Sequence, residues 1–227
     1  MMVLEAIRVF TLTIVSFLVA LTVTPLVLKL LQKINARKQI RTSETAPIYS
    51  QLHAEKSSTP TMGGGLILMG IAVPTLLWSD LSNRFVWVAL ITTLLFGVVG
   101  YVDDYRKVIQ KNPKGLSSRQ KILGQILIAA AAATFLYVYR DTPAVLKFPF
   151  FKEWSFDLGL FFIPFATFII VGASNGVNFT DGLDGLAVGP VITTSATFLI
   201  LAYCAGHIKL AEYLQIPYIS GSGELTI

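Results

Sequence analysis

The sequence is poor in charge, in cysteine and in histidine. Only 14% of its 227 residues are charged, 54% are hydrophobic, and the mean hydropathy is +0.67. That balance excludes an ordinary soluble domain and calls for an integral membrane protein. The one cysteine, Cys204, lies inside an apolar run, so an internal disulfide is excluded and the thiol reads as a small buried hydrophobe. His53 and His207 are isolated in separate loops and take no role. With no soft or imidazole ligand set, zinc is not expected. No internal repeat, low-complexity tract or long soluble linker interrupts the chain. The net charge of +5 follows the membrane through its placement in loops, and no nucleic-acid partner is expected.

Long apolar runs are abundant. A bilayer core of about 30 Å needs roughly 20 apolar residues per helix. Six runs come near that length, over residues 9–31, 62–78, 85–102, 122–139, 158–177 and 186–206. The second is the shortest and carries Gly63, Gly64, Gly65, Gly70 and Pro74. These runs are continuous, whereas the strands of an outer-membrane barrel would be short and alternating. The first is too long for a signal-peptide core and lacks a small-x-small cleavage site before a soluble domain. The expected fold is therefore all-α, a polytopic bundle of six spans forming one integral membrane domain over 1–227.

Six spans create two sets of loops. The odd loops (32–61, 103–121, 178–185) hold 11 of the 18 Lys and Arg, and the even loops (79–84, 140–157, 207–224) hold five. By the positive-inside rule the odd loops face the cytoplasm and the N-terminus lies outside. All three polar motifs of the chain fall in or beside odd loops, which allows one shared site.

The first motif is Gly100-Tyr101-Val102-Asp103-Asp104-Tyr105-Arg106-Lys107. Its two carboxylates fall at a helix C-terminus, where the macrodipole disfavours anions. Either a divalent cation or Lys107 and its basic neighbours should offset that charge. Consecutive side chains diverge by about 100° on a helix, so the pair should divide its roles between general base and orienting group. The second motif spaces Asn175, Asn178, Asp181 and Asp184 three residues apart. Each step drifts by about 60°, so a straight helix would separate the ends, and Gly176, Gly182 and Gly185 allow a bend. Its amide and carboxylate oxygens suit Mg²⁺. The third runs from Lys56 through Thr59-Pro60-Thr61 to Gly63-Gly64-Gly65, a donor-rich approach that lacks the P-loop pattern. Lysines, hard oxygen ligands and a candidate base at a membrane surface suit metal-assisted chemistry on a phosphate or diphosphate, with a lipid as one substrate.

These motifs, in this order, resemble the phospho-N-acetylmuramoyl-pentapeptide transferases, a branch of the polyprenyl-phosphate sugar-1-phosphate transferases. The matching segments also include Lys114-Gly115-Leu116-Ser117, and Thr59 to Gly64 points to the peptidoglycan branch. Ser58 stands where that family usually has glycine. The resemblance implies transfer of phospho-muramoyl-pentapeptide from its UDP carrier (UDP-MurNAc-pentapeptide) to undecaprenyl phosphate in the bacterial inner membrane, with Mg²⁺ and release of UMP. It implies catalytic roles for Asp103, Asp104 and Asp181, with Asp103 as the base and Asp104 supporting the diphosphate. Lys56, Thr61, Lys107, Lys121, Asn175 and Asp184 would bind substrate, with Asp184 near the uridine, and Asn178 would be a Mg²⁺ ligand. The bilayer and a second copy of the chain complete the expected partners. The family has about ten spans, a further acidic motif and a His-rich loop, so the resemblance implies that residues 1–227 are its N-terminal part and inactive alone.

Two rival readings stand beside this one. The nearer is a transferase of N-acetylhexosamine-1-phosphate onto the same lipid. A transporter would favour acids near the midplane of its spans, but the interiors of all six runs lack Asp and Glu.

Overall fold

The computed structural model of the chain describes residues 2–33, 63–110, 115–140, 144–148, 151–181 and 185–226. Of the expected site residues, Lys56, Thr61 and Asp184 lie outside the described residues. Seven α-helices follow in chain order among them: α1 (Met2–Lys33), α2 (Gly64–Trp78), α3 (Arg84–Val108), α4 (Ser118–Val138), α5 (Phe162–Thr180), α6 (Val188–Gly206) and α7 (Ile208–Leu214). Arg84–Val108, Ser118–Val138, Gly159–Thr180 and Val188–Gly206 are long and apolar enough to cross a bilayer. Ile14–Leu30 within α1 and Gly64–Trp78 are apolar but shorter. The architecture is all-α and polytopic. Large side chains such as Leu160, Phe168 and Phe198 are exposed on the helices, as befits segments that lipid rather than protein covers.

Two segments depart from the sequence reading. The even loop over 140–157 contains a hairpin: Val145–Phe148 (β1) pairs antiparallel with Phe151–Asp157 (β2), Val145 opposite Asp157, with a register shift between Lys147 and Phe148. Trp154 and Phe156 alternate with Ser155 and Asp157, a short-period pattern that favours a pleated surface and is invisible to a search for long apolar runs. The helices also outrun their apolar stretches. The third continues through the acidic motif to Val108, and α5 continues to Thr180. Gly176 lies inside continuous helix, so no turn forms there. Beyond α5, Gly185 takes the left-handed conformation, with φ +81°, that glycine adopts at least cost.

The chain forms two compact units, residues 1–74 with 93–121, and residues 75–92 with 122–227. In the first, Gly97 lets α3 approach α2 closely: a Cβ there would stand 2.4 Å from Leu68 Cδ1. In the second, side chains build the turn before α3. Asp80 Oδ1 accepts from Ser82 N (2.9 Å) and Oγ (2.7 Å), and Asn83 Oδ1 caps the helix by accepting from Phe85 N at 2.9 Å. Asn83 Nδ2 donates to Gly221 O at 2.7 Å, and Glu224 accepts from Asp80 N at 3.0 Å. These bonds tie the turn to the 3₁₀ segment Ser222–Thr226. That segment packs on α6, where Ser222 Oγ donates to Ala202 O at 3.0 Å.

Candidate active site

In the first unit, Asp103 is the organising residue. It is buried at 8% exposure, which an isolated carboxylate could not sustain. Lys107, one turn further along α3, donates Nζ to Oδ2 at 2.5 Å, and Leu116 N donates to Oδ1 at 2.8 Å. Of the two sequence-level candidates for offsetting the helix terminus, Lys107 is the group that meets Asp103. Charge-assisted donors on both oxygens are the arrangement of an ionised carboxylate. Each oxygen keeps a second lone pair, so proton acceptance remains open.

The Leu116 contact depends on the residue before it. Gly115 is buried with φ +60°, and a Cβ there would meet Asp103 Oδ1 at 2.4 Å and Lys107 Cε at 2.6 Å. Backbone conformation and space both require glycine. Directly after this turn, Ser117 and Gln120 form a reciprocal capping box. Gln120 N donates to Ser117 Oγ at 3.3 Å, and Ser117 N to Gln120 Oε1 at 3.2 Å. The box starts α4 and places Lys121, half-buried, in its first turn. Asp104 is half-buried and lies about 100° round α3 from Asp103, so the two carboxylates have different surroundings.

In the second unit, the Asn/Asp ladder occupies the end of α5. Asn175 is half-buried, and its Nδ2 donates to Gln125 Oε1 of α4 at 2.7 Å and to Val171 O at 2.8 Å. Asn178 is exposed one turn later, and Asp181 is exposed at the C-cap, its N–H donating to Val177 O at 3.0 Å. At three-residue spacing the last two side chains are neighbours. A cavity of about 360 Å³ lies between α5 and α6, lined by Gly176, Val177 and Thr180 on one side and Pro190, Val191 and Thr194 on the other. At 100° per residue Gly176 and Thr180 lie about 160° round α5 from Asn178, so the cavity and that amide use opposite faces.

The donor chemistry fits magnesium. Asn178 and Asp181 offer hard oxygens exposed to solvent. Among the described residues no three His, Cys, Asp or Glu side chains gather as a cation site, so an ion here would complete its shell with water and substrate phosphate, as Mg²⁺ commonly does. The structure thus joins Asp103 to Lys107, and Asn175 to a helix neighbour. Sequence reading overlooked three participants: Gly115, the Leu116 amide and Gln125. Gly115 and Leu116 carry no signal in the sequence beyond their place in the matching segment. Gln125 did carry a signal, as a lone amide within an otherwise apolar run.

The model of glycosyl transferase family 4 matches residues 86–220. Relatives named phospho-N-acetylmuramoyl-pentapeptide-transferase occur in Pelobacter propionicus (49% identical), a Geobacter species (50%) and Citrifermentans bemidjiense (50%), each over 214 residues. These alignments cover 94% of this chain and 58% of each relative, so the chain spans little more than half their length. The family match covers more than half of the chain and takes in Asp103, Lys107, Lys121 and the ladder from Asn175 to Asp184; the chain belongs to glycosyl transferase family 4.

Proposed function

We propose that the full gene product transfers phospho-N-acetylmuramoyl-pentapeptide from its UDP-linked donor to undecaprenyl phosphate, giving lipid I and UMP. The observation that carries this reading is the buried Asp103 carboxylate, held by Lys107 and the Leu116 amide where α3 leaves its apolar stretch. Such a group is preorganised for proton and phosphate chemistry at a membrane surface. The relatives' shared name supports the choice of donor and lipid, and the Thr59-Pro60-Thr61-Met62-Gly63-Gly64 segment supports the muramoyl branch.

In this reading an oxygen of the lipid phosphate attacks the sugar-bearing phosphorus of the donor. A new P–O bond forms as the bond to the bridging oxygen breaks, and UMP leaves with that oxygen. Asp103 takes the proton of the lipid phosphate, leaving the attacking oxygen fully anionic. Lys107 and Lys121 offset phosphate charge, Asp104 supports the diphosphate, and Asp181 lies beside the nucleotide. Lys56, Thr61, Asn175 and Asp184 hold the donor. Asn178 would hold Mg²⁺, which when bound would neutralise charge on the diphosphate. The basic odd loops support a site on the cytoplasmic face of the inner membrane, with the N-terminus outside.

Membranes carrying the gene product should move radiolabel from UDP-muramoyl-pentapeptide into a butanol-extractable lipid. Label moving from UDP-N-acetylglucosamine instead would replace this reading with a hexosamine-phosphate transferase.

A further inference from the structure

One polar bridge joins two apolar helices within the second unit, and the proposed chemistry does not account for it. Gln125, Ala129 and Ala133 are the buried residues of α4, at 4%, 0% and 0% exposure. Their four-residue spacing makes them one face. Two alanines allow close approach there, and an apolar residue could fill the third place without burying an amide. Gln125 instead meets Asn175 of α5 at 2.7 Å.

The orientation of both amides follows from a third atom. Asn175 Nδ2 also lies 2.8 Å from Val171 O. A backbone carbonyl only accepts, so the Asn175 atom beside it must be the amide nitrogen. The Gln125 atom facing that nitrogen must then be its oxygen. Both Asn175 N–H bonds are thereby used, and no hydrogen bond to Asn175 Oδ1 is seen among the described residues. Held by Val171 alone, Asn175 would keep one N–H bond and leave the second unpaired; the Gln125 acceptor ties down that second N–H and holds the side chain at two points.

We propose that Gln125 is a positioning residue that locks the Asn175 amide so that it offers an oxygen acceptor to donor groups of the nucleotide-linked substrate. The inference rests on reading Asn175 as a substrate contact. It explains why an amide is retained on the otherwise small, apolar face of α4.

The test uses the full gene product with Gln125→Met, which removes the acceptor at similar length, and Gln125→Glu, which keeps an acceptor oxygen. Losing one orienting hydrogen bond should raise KM for UDP-muramoyl-pentapeptide about tenfold in Gln125→Met, with kcat within about threefold. Gln125→Glu should recover most of that loss. In an Asn175→Ala background, adding Gln125→Met should change KM by less than about twofold, because the two act as a unit. An unchanged KM in Gln125→Met, or an equal effect with and without Asn175, overturns the inference. The side-chain amide protons of isotope-labelled Asn175 decide it independently of turnover. They should be protected from solvent exchange in the parent and lose protection in Gln125→Met; equal protection in both overturns it. A parent without transfer activity would remove the proposed function while leaving these resonances to judge the bridge.

Discussion

A carboxylate in the last turns of a helix faces the negative pole of the peptide dipoles and needs a compensating charge. Asp103 receives it from Lys107 at i+4, and the Leu116 amide adds a second donor. Removing one partner of such a buried pair costs more than the pair contributes, because the remaining charge is left uncompensated. If Asp103 is the base, Asp103→Asn should lower turnover by roughly 10²-fold or more with little change in KM for the UDP-linked donor. Turnover within a few-fold of the parent would make Asp103 a holder of Lys107 instead. Gly115→Ala tests the clamp from its other side. The left-handed conformation alone costs about 1 kcal/mol with a side chain, and the added Cβ would press on Asp103 Oδ1 and Lys107 Cε. Turnover should fall about tenfold or more, since the carboxylate and the lysine that holds it are both displaced. An alanine variant with parental turnover would show that the Gly115–Leu116 turn does not set the position of Asp103.

Among the elements, the apolar stretches were legible as helices because lipid-spanning segments must satisfy their own backbone over about 20 residues, which leaves a long uniform signal. The hairpin over Val145–Phe148 and Phe151–Asp157 was not, since its few alternating residues give a weak pattern beside such runs. Helix ends were also misplaced: α3 and α5 continue into polar sequence, to Val108 and Thr180, because polar side chains do not by themselves stop a helix. The acidic and amide residues of the site could be named from their motifs. Lys107 could be named too, from its place in the same motif, but the Leu116 amide and Gln125 could not, because they meet Asp103 and Asn175 across 13 and 50 residues of chain, a pairing that only the fold decides. The loop charge bias makes its own prediction at this scale. A cysteine placed at Lys111 should react with an impermeant maleimide only from the cytoplasmic side, and one at Phe150 only from outside. Labelling with the reverse sidedness would take the acidic motif off the cytoplasmic face.

For the whole molecule, the decisive fact is that 94% of this chain aligns with relatives of which it spans only 58%. Sites for phosphoryl transfer work through several charges acting together, and loss of part of such a set removes most of the rate. Residues 1–227 hold the Asp103 clamp and the amide ladder, so they should insert into membranes and keep these local structures while lacking turnover. The most direct measurement is UMP release from UDP-muramoyl-pentapeptide by two purified proteins, the full gene product and residues 1–227, with and without undecaprenyl phosphate and Mg²⁺. Release should come from the full product only, and only when lipid phosphate and metal are both present. Release without the lipid, or none from the full product under any of these conditions, would contradict it.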